Sequence, residues 1–211
     1  MKRSKITILL AIVLGMTFHS CLDLEPQDQL GGKNMWTSVN DYKQFANTFY
    51  SWTRDFSSVV YDGTHSDKRS DLITYQSYNE FSRGINSIPS SDANYTDNYK
   101  HIRRTNLLLQ NAEAYAKPED IKQYIGEAYF FRAYSYFDLL QLYGDVIITK
   151  KPLDITDPEM KVKRNDRSEV VDLIIDDLNH AVENLPAFKE LTTEEEGRIS
   201  KEGAQAFLSR V

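Results

Sequence analysis

Cysteine is almost absent from this chain. Its one thiol, Cys21, leaves no partner for an internal disulfide, so the folded part must be held by its core. Long hydrophobic runs are missing as well. The most apolar stretch, Ile6 to Phe18, is thirteen residues long, and a bilayer-spanning helix needs about 20. Basic residues are too few for a nucleic-acid face. The 25 lysines and arginines stand against 31 acidic residues, a net charge of −6. No phosphate-binding Walker loop, dinucleotide glycine pattern, His-Glu-x-x-His or Gly-x-Ser-x-Gly occurs, and no cofactor is implied. Two clusters hold potential metal ligands: Asp62, His65 and Asp67, and Asp176, Asp177 and His180. Each has too few ligands for a confined ion, so solvated polar surface is the reading and a divalent cation the alternative. No pair of carboxylates stands out for glycoside hydrolysis, whose defining feature is a distance in space.

Aromatic residues, by contrast, are plentiful. Hydrophobic residues make up 41% of the chain, enough for a core, and 13 of the aromatics are tyrosines. Tyrosine suits places where a ring packs while its hydroxyl stays wet, as at binding surfaces. Residues 1–20 read as a leader, with a basic start and an apolar run of signal-peptide length. Cys21 follows at once, after Phe18-His19-Ser20, which resembles a loosely written bacterial lipobox. Lipidation of Cys21 would anchor the protein to a membrane without spanning it. An ordinary leader with an incidental cysteine is the alternative. Removing Lys2, Arg3 and Lys5 with the leader leaves 22 basic against 31 acidic residues, or −9. Residues 21–35 then read as a short tether, and 36–211 as the folded part.

The stretch from Glu127 to Ile148 organises that part. At 100° per residue, Ile125, Ala128, Tyr129, Arg132, Tyr136, Leu139, Leu140 and Tyr143 share one stripe, and Phe130, Tyr134 and Phe137 line most of the other side. A helix apolar on both sides is sandwiched between other elements. Gly144 is placed for a left-handed C-cap. Arg132 lies within the apolar stripe and needs a carboxylate or carbonyls, which makes it a structural anchor; contact with a ligand is the lesser reading. The same stretch resembles the central helix of the SusD/RagB family. The match rests on Glu127, Ala128, Phe131, Arg132, Ala133, Tyr136, Leu139, Tyr143, Gly144, Asp145 and Val146. Ile147 stands where the family usually has proline.

Elsewhere the chain reads as helices joined by irregular segments. A first helix is expected over 36–56, capped by Ser38 and Asp41, with Tyr42, Phe45, Ala46, Phe49, Thr53 and Phe56 buried. Residues 57–91 are rich in Ser, Asp, Asn and Gly and read as a long loop. Loops this long are often functional. Tyr61, Tyr75, Tyr78 and Phe81, with Arg69, Asp71, Asn79 and Arg83 between them, offer flat rings and planar hydrogen-bonding groups suited to a sugar. Packing of the loop onto the helices is the competing role for each ring. A second helix is expected over 92–116, with Tyr95, Tyr99, Ile102, Asn106 and Leu109 on one face. Asn106 there needs internal hydrogen bonds. Pro118 opens the next helix, giving an antiparallel hairpin of tetratricopeptide type. A fourth helix is expected over 166–185, with an Asp166–Glu169 capping box and a stripe of Val171, Ile174, Ile175, Leu178, Val182 and Leu185. Residues 197–211 resemble the following family helix, which the chain is expected to leave unfinished and uncapped.

The fold class is therefore mainly α: tetratricopeptide-like helical hairpins with long irregular loops. The resemblance spans residues 21–211 and implies the N-terminal part of a longer SusD-like domain. It also implies a non-catalytic lipoprotein of the outer membrane. Such a protein captures oligosaccharide or polysaccharide at the cell surface and passes it to a SusC-like TonB-dependent transporter. A helical-repeat lipoprotein that binds protein or peptide is the alternative, and a surface glycoside hydrolase a third reading.

Overall fold

The computed structural model describes residues 35–54, 80, 83–85, 87–154 and 156–211. Trp36–Val211 form one compact unit. Its helices are α1 (Val39–Asn47), α2 (Ala93–Glu113), α3 (Lys122–Tyr143), α4 (Arg167–Asn184) and α5 (Lys201–Leu208). Short 3-10 turns punctuate them, including Thr48–Trp52 directly after α1 and Pro118–Ile121 before α3. Among the described residues there is no strand, only an isolated bridge between Val146 and Asn165. The fold is mainly α.

Helix α3 is buried on every side. Ala128, Phe131, Tyr136 and Leu139 are closed off, and so are Phe130, Ala133 and Phe137. Its neighbours explain why. Tyr143, at the end of α3, donates to Asp92 at the start of α2 (2.7 Å), so the two helices run antiparallel. Gly126, near the start of α3, faces the end of α4. A Cβ built on it would come within 2.9 Å of Leu185 Cγ, so only glycine permits this approach. Phe49 and Tyr50 set their rings against Phe131 from the first elements (5.7 and 5.0 Å). Phe207 of α5 covers Phe130 and Phe137 (5.6 and 5.2 Å).

Several element boundaries differ from those expected. The first helix is α-helical only to Asn47, then tightens to a 3-10 turn, and Thr53 is exposed rather than buried. Tighter winding rotates the later residues off the α-helical stripe. Phe56 lies outside the described residues. In α2 the closed-off leucine is Leu108, with Leu109 only half-buried. In α4 the buried face is Val170, Leu173, Ile174, Asp177, Leu178 and Ala181, while Ile175 is exposed. The face is turned by about one residue because it carries a buried aspartate.

The ends also differ. Gly144 does stop α3 and has positive φ (71°), but its ψ of −108° is not that of a left-handed helical cap. Its N–H still bonds Leu140 O at 3.0 Å. Helix α5 stops at Leu208, where the Ser209 N–H bonds Gln205 O (3.1 Å). The Ser38–Asp41 capping box forms, with the Ser38 N–H on Asp41 Oδ2 (2.8 Å) and the Asp41 N–H on Ser38 Oγ (3.3 Å).

Candidate functional site

Three arrangements of polar and aromatic groups surround α3. Two of them are internal. Arg132 is 5% exposed and Asp177 0%. Arg132 donates through Nε and Nη2 to the two carboxylate oxygens of Asp177, at 2.8 and 2.6 Å, and through Nη1 to Asn106 Oδ1 (2.8 Å). Asn106 passes the link on, donating to the carbonyls of Thr149 and Lys151 (2.9 and 3.2 Å). Each of the three Arg132 nitrogens thus meets another member of the cluster, and Asn106 ties the cluster to the backbone. Burial pushes the Asp177 carboxyl up, against the pull of Arg132.

Both oxygens of Asp177 are thus taken by Arg132, which removes it from the cluster of Asp176, Asp177 and His180. His180 instead stacks on Tyr129 (4.8 Å, 28°). No group of three or more potential metal ligands gathers among the described residues.

The second internal arrangement is one that sequence reasoning missed. Glu127 is also 0% exposed. Arg198 meets it with Nε on Oε1 (2.8 Å) and Nη2 on Oε2 (2.7 Å), and its guanidinium lies 5.3 Å from both the Tyr50 and Tyr124 rings. Its third nitrogen reaches Asn47. Burial raises the Glu127 carboxyl, opposed by the bonds from Arg198.

The third arrangement is open to solvent. A cleft of about 200 Å³ lies between the Thr48–Trp52 turn, α2 and α3. Trp52 and His101 stack in it, with ring centroids 4.1 Å apart and planes within 14°. Arg54 pairs with Asp138 there, and its guanidinium sits over the Tyr134 ring (6.0 Å). Asn94 supplies an amide to the same cleft. Burial lowers the His101 pKa below its ordinary 6.5, so at neutral pH the imidazole is uncharged, with one donor and one acceptor nitrogen. Rings beside amide, guanidinium and carboxylate groups can cover the C–H face of a sugar and meet its hydroxyls. Trp52 follows Phe49 at stripe spacing, and its ring also packs on Phe49 and Phe131 (4.7 and 5.9 Å), so nothing in the sequence marks it as a cleft residue.

The loop residues Tyr61, Arg69, Asp71, Tyr75, Tyr78, Asn79 and Phe81 lie outside the described residues, as does Cys21. So do Asp62, His65 and Asp67. Arg54 and Asn94 flank that loop in sequence.

Comparison with known proteins bears on the whole folded part. The SusD-like family described as "Starch-binding associating with outer membrane" matches residues 22–211. The chain belongs to this family. Two curated SusD-like proteins of Formosa agariphila are similar to it. One is 28% identical over 204 residues, covering 87% of this chain and 38% of the relative. The other is 27% identical over 228 residues, covering 100% and 43%. The chain therefore spans about two-fifths of the length of the curated relatives it matches. Among solved structures, a SusD-like protein of Bacteroides fragilis superposes with a TM-score of 0.70 at 27% identity, over 88% of this chain and 36% of that one. A structure described as a laminarin-binding SusD-like protein gives 0.55 at 29% identity, over 62% and 28%.

Proposed function

We propose that this SusD-like chain is the N-terminal part of a cell-surface lipoprotein that binds glycan and hands it to a TonB-dependent transporter of the outer membrane. Membership of the family across residues 22–211 carries the reading, since the family's description is starch binding at the outer membrane. The laminarin-binding relative adds a neutral polysaccharide as the first ligand to try. In this proposal Cys21 is the lipid-bearing residue, and Tyr61, Arg69, Asp71, Tyr75, Tyr78, Asn79 and Phe81 of the loop act with the Trp52 cleft. The protein binds and does not cleave.

Affinity electrophoresis against laminarin, starch and other neutral polysaccharides tests the reading. The full-length protein is expected to be retarded by at least one of them, with the sugar recovered at unchanged mass. Trp52→Ala should weaken that binding about tenfold, the worth of a lost ring contact plus its burial. Shortened product sugars would instead make the protein a hydrolase. Retardation equal in the Trp52→Ala variant would remove the cleft from the site. For the anchor, Cys21→Ala should move the protein from the membrane fraction to the soluble one.

A further inference from the structure

Helix α2 borders a second and larger depression. Tyr95, Tyr99 and Arg103 repeat at four-residue spacing along the helix, away from the Asn94, Asp97 and His101 side that meets the Trp52 cleft. Opposite them runs the connection after α3, through Ile147, Thr149, Lys151 and Leu153. Together they enclose a groove of about 530 Å³. Small-ligand sites occupy roughly 300–1,000 Å³.

The floor of the groove is aromatic and aliphatic, from Tyr95, Tyr99, Ile147 and Leu153. Its charged groups are three cations, Lys100, Arg103 and Lys151, against one carboxylate, Glu159. That balance is reversed from the chain as a whole, whose net charge is −6. Lys151 is bound to Glu159 (2.6 Å) and Lys100 to Asp97 (2.7 Å). Arg103 makes no ion pair among the described residues. Its Nε donates to Leu153 O at 3.2 Å, which steadies the guanidinium and leaves the two terminal nitrogens for another acceptor.

One wall of the groove is also fixed in place. Tyr99 Oη accepts from the Ile147 N–H (2.9 Å) and donates to the Ile147 carbonyl (2.8 Å). Tyr136 Oη does the same to Thr149, at 2.7 and 3.2 Å. A site that is already shaped loses less entropy on binding.

We propose that this groove binds an anionic saccharide, with the acid group on Arg103 and the sugar rings over the Tyr95, Tyr99 and Ile147 floor. The acid is a carboxylate or a sulfate ester, both of which match the flat two-pronged face of a guanidinium. The inference rests on the carbohydrate-binding reading above but not on the Trp52 cleft. It makes the protein a two-site binder whose second site selects charge.

Isothermal titration of the full-length protein tests it, with three probes of equal length. They are a uronate oligosaccharide, its carboxyl-reduced neutral counterpart, and a sulfated neutral oligosaccharide. At least one anionic probe is expected to bind about tenfold more tightly than the neutral one, and more weakly as salt rises. Whichever it is identifies the acid. Arg103→Gln should abolish that preference while leaving the Trp52-dependent binding of neutral glycan unchanged. Tyr95→Ala should weaken both anionic and neutral forms of the probe at the groove. Thermal unfolding of each variant guards against misfolding. If neutral glycan binds while neither anionic probe is preferred, the groove proposal falls and the broader reading stands. Loss of binding to all probes and to the neutral polysaccharides overturns both. A protein that self-associates in sedimentation and dissociates on Arg103→Gln would make the groove an interface between copies, and would also overturn the proposal.

Discussion

Arg132 shows how a residue's need for a partner can be read from sequence while the partner itself is not. A guanidinium in an apolar stripe has to be paired, because an uncompensated buried charge costs several kcal/mol. Asp177 is that partner, and it sits on a helix whose sequence offers three nearby acidic choices, Asp172, Asp176 and Asp177. Nothing local separates them. The choice is made by the crossing of α3 and α4, which lies beyond one-dimensional pattern. Arg132→Met should cost about 3–5 kcal/mol in urea unfolding, since Asp177 would stay buried without its cation. The double change Arg132→Met, Asp177→Leu should recover much of that loss, because a hydrophobic pair of similar volume carries no desolvation penalty. A double variant no better than the single one would show that the pair adds stability in its own right.

Among the elements, local chemistry was legible and burial was not. The Ser38–Asp41 box and the stop at Gly144 follow from residue type at fixed spacing. The buried face of α4 does not, because counting Asp177 as a surface residue turns the stripe toward Ile175. The 3-10 turn at Thr48–Trp52 was hidden in the same way, since its rings continue an α-helical spacing. The hairpin of α2 and α3 carries a titratable tie. The hydrogen bond from Tyr143, joined by those from Asn94, holds the Asp92 carboxyl below its ordinary 3.8. A carboxyl whose folded value is depressed adds stability that is complete above the unfolded value and is lost as pH falls through the folded one. Between pH 6 and pH 3 the wild-type urea midpoint should therefore fall further than that of Asp92→Asn. Asp92 is only partly buried, so solvent screening keeps the difference below about 1 kcal/mol. Equal acid sensitivity of the two proteins would mean that the tie adds nothing.

At the scale of the molecule, Arg198 fastens the late part of the chain to the early part. It reaches 71 residues back to Glu127 and 151 residues back to Asn47, and the Ile199 N–H beside it bonds the Tyr50 hydroxyl (3.0 Å). Contacts this distant in sequence leave no local signature, and neither Glu127 nor Arg198 stands out except as part of the family resemblance. Arg198→Ala strands the Glu127 carboxylate in the core and should destabilise the fold by about 3 kcal/mol or more. Hydrogen exchange should report it unevenly, with α5 amides losing protection before those at the centre of α3. Uniform loss across both helices would mean that α5 has no separate fastening. The Trp52 cleft is likewise built from three distant stretches, so no local pattern announces it.

The grip on residues 147–151 has a further consequence. Tyr99, Tyr136 and Asn106 hold that segment by its N–H and C=O groups, atoms that nearly every amino acid supplies in the same place. Proline at 147 would forfeit one bond, the N–H on Tyr99, and most other changes would forfeit none. The side chains facing the groove are thereby uncoupled from the fold that carries them. Ile147, Thr149 and Lys151 could be rewritten one at a time, changing what the groove prefers, while Tyr99, Tyr136 and Asn106 keep the wall upright.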